Sequence, residues 1–296
     1  MSNSKNIFYN FFFYVLILLL LLLNFPAESK KKYLDPNYTF KQWEKVKWPE
    51  DTGLLKRTYE IVGNQPDKPY NHAWVNDLVR DGEYAIRLEI RDRECGRDDC
   101  PRGDFTGWAG RTEFGFWDTN ITGENWFRWS VYIPKETMEL QSKGWTMFTQ
   151  IKANYKSQKN KDCPIIPLYL MLDDQGINLG KEKGDCGEFF VQIIPNEENF
   201  KGKWLDFVAH TKWSKKDDGF IHLWVNGKKE YTYTGSTVSI LNNNYPPVFR
   251  LPIYNGNRDK NEKITQVMYF DSFYAAKKCE KMKLENIGYS CDNLEK

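Results

Sequence analysis

The feature that most constrains the fold is a succession of short runs rich in β-branched and aromatic residues, at 57–62, 84–90, 126–133, 145–152, 166–172, 189–194, 204–212, 220–226, 230–234, 248–254 and 267–273. Each has the length of a strand, turn residues separate them, and no long stretch repeats at the helical period. The clearest is 219–233, where Asn226-Gly227 divides two such runs and can take the positive dihedrals of a two-residue hairpin turn. Ile221, Leu223 and Val225 then face one side of the sheet, and His222 and Trp224 the other. So many strands in one chain predict an all-β fold of two packed antiparallel sheets, a sandwich or jelly roll.

Residues 1–29 read as a targeting segment: a short polar start, an apolar run at 7–23, and Ala27-Glu28-Ser29 as a small-residue cleavage site. A retained anchor is the alternative, because the apolar run is close to the shortest that spans a bilayer. Contact with a membrane is expected only in that case. A cleaved segment implies a secreted, periplasmic or extracellular protein. After it come an extended lead-in at 30–56, one domain at 57–276, and a charged tail at 277–296. All six cysteines follow the leader, and an even number in an exported chain points to disulfides. Pairing neighbours joins Cys95 with Cys100, Cys163 with Cys186, and Cys279 with Cys291, each closing a short loop; the last pair would staple the tail. The sequence holds no Cys-x-x-Cys, and His72, His210 and His222 are the histidines available to complete a zinc site. A formal charge of +2 gives no basic field of the kind nucleic acid requires.

Three strand segments carry polar residues at even spacing, which aims side chains at one face. Arg111 and Glu113 share a face, as do Gln150 and Lys152, and Arg250 and Tyr254. These segments, in this order, resemble the jelly-roll polysaccharide lyases that include alginate lyases, glucuronan lyases and heparin lyase I. Alginate lyases of this fold carry an Arg-Ser/Thr-Glu strand, matched by Arg111-Thr112-Glu113. They also carry a Gln-Ile/Val-His strand, matched by Gln150-Ile151-Lys152, and a Tyr-Phe-Lys-Ala-Gly-x-Tyr strand, matched by 245–254. The phrase at 204–227 and Tyr269-Phe-Asp-Ser-Phe look like the glucuronan and heparin lyase branch, and the likeness covers roughly 57–276.

The resemblance implies a concanavalin-like β-jelly-roll and β-elimination on an anionic, uronic-acid-containing polysaccharide. In such a reaction the carboxylate beside C5 is neutralised, a base takes the C5 proton, and an acid protonates the departing O4. Gln150 and Arg111 would hold the carboxylate, and Tyr254 matches the catalytic tyrosine, as base, acid or both. Because a free phenol ionises near pH 10, cationic help from Arg250, Lys152 or Arg111 is expected around it. The chain departs from the pattern in two places: Lys152 stands where many alginate lyases have histidine, and Gly115 where their first strand often continues to a second arginine. The catalytic histidine of the glucuronan branch would have to be His72, His210 or His222, with His72 the first to test.

Aromatic faces suit the apolar faces of pyranose rings. Trp224, on the polar face of its strand, and Trp108 and Trp117, which flank Arg111, are therefore candidates for binding sugar, with Glu113, His222 and Asn255. The reaction needs no cofactor that the sequence reveals, but Asp98, Asp99 and Asp104 form an acidic loop that could bind calcium. Two other functions fit a chain of this kind. One is a lectin-like module that binds glycan without cutting it. The other is a glycoside hydrolase, which needs paired carboxylates, and the Glu-x-Asp-x-x-Glu strand of laminarinase-like hydrolases is absent.

Overall fold

The computed structural model describes residues 32–41, 44–62, 68–91, 108–116, 121–136, 144–152, 166–182, 188–196, 199–238, 247–258 and 265–294. Its contacts divide the chain into two units, Met1–Tyr38 and Thr39–Lys296. The described part of the first is short, with the Tyr33 and Tyr38 rings edge to face at 5.2 Å. The second is built of two antiparallel sheets. One has eight strands in the order β1 (Lys45–Lys47), β2 (Thr58–Val62), β5 (Trp108–Phe116), β14 (Val248–Arg258), β7 (Trp145–Lys152), β8 (Leu168–Asp173), β9 (Gly176–Glu182) and β10 (Glu188–Pro195). The other has seven, in the order β13 (Lys228–Thr234), β12 (Phe220–Val225), β11 (Trp204–Lys212), β6 (Glu124–Tyr132), β15 (Gln266–Ala276), β4 (Ala85–Ile90) and β3 (His72–Val75). This is the predicted jelly-roll sandwich.

Alternation along each strand builds the core between the sheets. Phe114, Phe116 and Phe249 from the eight-stranded sheet meet Phe127, Trp129 and Phe207 from the other, all fully buried or nearly so. Phe249 stacks on Phe127 at 6.0 Å, and Trp129 stacks on Phe207 at 5.3 Å. The Trp129 indole N–H donates to Thr149 Oγ1 at 3.0 Å, so a polar group carried into the core bonds across the sheets. Each such aromatic contributes about 1.5–3 kcal/mol on burial.

Asn226 and Gly227 have φ of 50° and 84° and join β12 to β13 in a two-residue turn, as the sequence predicts. Strands β1, β3 and β9 carry no clear sequence signal. β1 is three residues of the lead-in, paired with β2, and it brings Trp48 into the core. β3 is four residues long, and β9 contains two glycines, which strand propensity disfavours. At Gly180 of β9 the reason is steric: a Cβ there would lie 2.1 Å from Cζ of Tyr169, whose ring lies across the strand.

The leader at 1–29 lies outside the described residues, as do Cys95, Cys100, Cys163 and Cys186 with the acidic loop of Asp98, Asp99 and Asp104. The third expected pair, Cys279–Cys291, is a disulfide. It closes the tail over the outer face of the seven-stranded sheet, where Met282, Leu284 and Leu294 pack on Val208, Trp224, Tyr274 and Ala276. The Arg80 guanidinium anchors the same region, donating to Asp206 Oδ1 at 3.0 Å and to the Ile287 carbonyl at 2.5 Å. A Cys279→Ser, Cys291→Ser double variant should lose about 2–3 kcal/mol, the value of closing a loop of this size, and its tryptophan emission should shift to the red as Trp224 is uncovered. Urea unfolding with fluorescence checks this; an unchanged midpoint and emission would mean that apolar packing alone holds the tail.

Candidate active site

β5, β14 and β7 are far apart in sequence and adjacent in the sheet. The register places Tyr254 opposite Arg111, Pro252 opposite Glu113, and Arg250 between Gly115 on one side and Gln150 on the other. Thr112, Phe114, Phe249 and Ile151 point into the core, so Arg111, Glu113, Gln150, Arg250 and Tyr254 all stand on the outer face of the eight-stranded sheet. The three polar segments thus share one surface, on the side of the sandwich away from the tail.

The charges on that surface are tightly organised. Arg250, 2% exposed, donates from Nη1 to Glu113 Oε1 at 2.7 Å, and Arg111 Nη1 lies 3.7 Å from the same oxygen. Two guanidinium groups therefore share one carboxylate, and the cluster keeps a net positive charge. Glu113 is fully buried, so it braces the arginines and does not touch a polymer, a correction to its expected part in binding. Its Oε2 has no hydrogen-bond partner. Arg111 is the more open of the two arginines, and its guanidinium carbon sits 4.7 Å from the Tyr254 ring centroid. A cation there stabilises negative charge developing on the phenol. Arg250, opposite Gly115, also supplies a guanidinium beside the position where the resembling strands carry a second arginine.

Lys152 pairs with Val248, six residues from Tyr254 along β14, or about 20 Å. That is too far for it to act on the phenol directly. Arg250 and Tyr254 are four residues apart, about 13 Å along the strand, which leaves room for a pyranose between their side chains.

Other expected site residues lie elsewhere. His72 faces inward from β3, 1% exposed, between Phe40 at 4.5 Å and Tyr59 at 5.7 Å, with Nε2 3.3 Å from the Tyr59 hydroxyl. Burial pushes its pKa down to about 3, so it is a neutral core residue and cannot be the catalytic histidine. His210 and His222 stand side by side on the outer face of the seven-stranded sheet, their rings 5.9 Å apart. His210 stacks on Trp126 at 4.0 Å and bonds Glu124 at 2.8 Å. Both pKa values are lowered, chiefly by burial. None of the three histidines of the chain reaches the Arg111 face.

Trp224 shares that opposite face and is buried beneath the tail, so neither it nor His222 can bind sugar beside Arg111. Asn255 points into the core, where its Oδ1 accepts a bond from Thr146 Oγ1 at 2.7 Å; alternation with Tyr254 dictates this. Trp117 and the side chain of Trp108 lie outside the described residues. Among the described residues, no three metal-ligating side chains come together.

The structure adds Trp145, which meets the Tyr254 ring edge to face at 5.3 Å, and Tyr169, the cross-strand neighbour of Gln150. An aromatic on an outer face looks the same in sequence as one in a core, so no periodicity separates them.

The family described as Polysaccharide lyase matches residues 35–274, which run from before β1 into β15. Among solved structures, an endo-β-1,4-glucuronan lyase from the fungus Trichoderma reesei is similar over 71% of this chain and 88% of its own, at 12% identity and a TM-score of 0.52. The alginate lyase vAL-1 from Chlorella virus is similar over 74% of this chain and 91% of its own, at 18% identity and a TM-score of 0.43. No curated protein matches the sequence. At 12% identity the first neighbour speaks for the fold alone.

Proposed function

Because this chain belongs to the polysaccharide lyase family, we propose that it is exported and cleaves a uronic-acid-containing polysaccharide by β-elimination on the outer face of its eight-stranded sheet. The observation that carries this reading is the Arg111–Glu113–Arg250 cluster beside Tyr254, with Gln150 across from Arg250. Arg111, the more open guanidinium, binds the uronate carboxylate, which makes the C5 proton more acidic, and the Gln150 amide, 3% exposed and donating from Nε2 to Met147 Sδ, lines the floor of the site. Tyr254, as phenolate, takes that proton. The C4–O4 bond breaks as a C4–C5 double bond forms, and the proton on Tyr254 passes to the departing oxygen. The phenolate is regenerated and no further reactant is consumed. The apolar leader and the disulfide-closed tail support export.

With all three histidines elsewhere, one phenol serves as base and then acid. A single group reaches the C5 hydrogen and O4 only when both lie on one side of the C4–C5 bond. Glucuronate and mannuronate meet that condition; guluronate and galacturonate, whose two groups are anti, do not. The test is to incubate the mature protein with glucuronan, polymannuronate, polyguluronate and polygalacturonate and follow the ultraviolet absorbance of the unsaturated uronate. Absorbance is expected with the first two. A larger rate on the last two would rule out the single-phenol scheme. Glycan binding with no absorbance from any polymer would make the protein a lectin of this fold.

A further inference from the structure

Among the described residues, Phe190 is the large hydrophobic side chain left exposed, at 51%. One exposed phenylalanine is ordinary in itself, but its place in the sheet is not arbitrary. The strand registers run Arg250 to Gln150, Gln150 to Tyr169, Tyr169 to Gly180, and Gly180 to Phe190. These residues form one row across five strands on one face, starting at the cationic cluster and ending at the edge strand β10.

The far end of the row is built as a platform. Tyr169 is 2% exposed and lies over Gly180, which has no side chain to lift it, and its ring meets Phe190 edge to face at 5.9 Å. Phe190 therefore rests on a fixed aromatic. In the next row of the same face Asn178 stands between Met171 and Gln192. It is 6% exposed, and its Nδ2 has no hydrogen-bond partner. An exposed apolar ring held on a fixed aromatic matches the C–H face of a pyranose, and the unpartnered Asn178 Nδ2 lies buried in the adjoining row.

The geometry points to a distal sugar subsite at Phe190, with Tyr169 beneath it and Asn178 beside it, that seats a non-reacting unit of the polysaccharide. This rests on the uronan reading of the Arg111 face. Four strand spacings separate Phe190 from Arg250, about 19 Å, roughly four pyranose units. The polymer then runs across the strands from β14 toward β10, and chains too short to span the row gain nothing from Phe190. Binding of remote units is how such enzymes hold the reacting unit in place.

The experiment measures affinity by calorimetry, with glucuronate or mannuronate oligosaccharides of three and six units and the Tyr254→Phe chain to prevent turnover. The hexamer is expected to bind roughly five- to tenfold more tightly than the trimer, the range of a well-placed aromatic contact. Adding Phe190→Ala should abolish that ratio, and Phe190→Trp should restore it. A ratio that survives Phe190→Ala, a ratio near one in the Tyr254→Phe parent, or no binding of either oligosaccharide overturns the subsite. Absorbance measured in parallel on the unmutated chain reports on elimination by itself. A lyase with no hexamer preference would thus lose only the subsite, and a hexamer-preferring chain without absorbance would lose only the chemistry.

Discussion

Tyr254→Phe should lower kcat on a cleavable uronan by about 10²–10⁴-fold, the range for removing a positioned proton-transfer group, and leave KM nearly unchanged. The ring remains, so its edge contact with Trp145 and its place beneath the Arg111 guanidinium persist. Stability should fall by no more than about 1.5 kcal/mol, the value of one hydrogen bond, because only a hydroxyl on a half-buried ring is lost. Steady-state absorbance kinetics and urea unfolding of the same preparation separate the two effects. A variant that turns over at the parent rate would remove Tyr254 from the mechanism. A variant that also unfolds early would show the phenol to be structural.

Acid should destabilise the protein through His72. Its pKa is about 3 in the fold against about 6.5 unfolded, so between those values the unfolded chain binds a proton that the folded chain refuses. Stability from this residue is therefore complete above about pH 6.5, declines as pH falls, and is lost by about pH 3. The slope is about 1.4 kcal/mol per pH unit, which accumulates to about 4–5 kcal/mol. Other groups titrate over the same range, so the measurement is a difference: urea unfolding of the parent and of His72→Leu at several pH values from 7 to 4. The variant loses the bond to Tyr59 and starts from a lower stability, yet its curve should be flatter by that slope. Parallel curves would mean that water or a rearranged core accommodates the imidazolium.

His72 also shows where reading by residue type stops. In sequence it lies near Asn71 and Trp74 in a turn-rich stretch, which makes it the first histidine to test for catalysis. In the fold, four residues of β3 turn its ring and that of Trp74 inward together. Trp224 is a second instance. Alternation correctly sets it on the opposite side of β12 from Leu223, but that side is closed by a tail whose last cysteine is 67 residues further along the chain. A strand pattern says which residues share a face and carries no information about what covers it.

The pairing within segments was legible for the reason that a strand repeats every two residues. Arg111 with Glu113, and Arg250 with Tyr254, had to share faces once their runs were strands. The same rule already separated Asn255 from Tyr254. Glu113 was read as a contact for sugar, and only its full burial between two guanidinium groups shows it to be a brace.

By itself, then, the sequence determined most of the strands, though not β1, β3 and β9, together with the Asn226-Gly227 turn and the division of each polar segment between two faces, because these depend on backbone geometry over a few residues. The tertiary structure alone decided that β14 lies between β5 and β7, which face the tail seals, and that a row of side chains leads from Arg250 to Phe190. Neighbours in a sheet are chosen by packing between segments more than 90 residues apart, such as Gln150 and Arg250, and no local pattern in a chain encodes that choice.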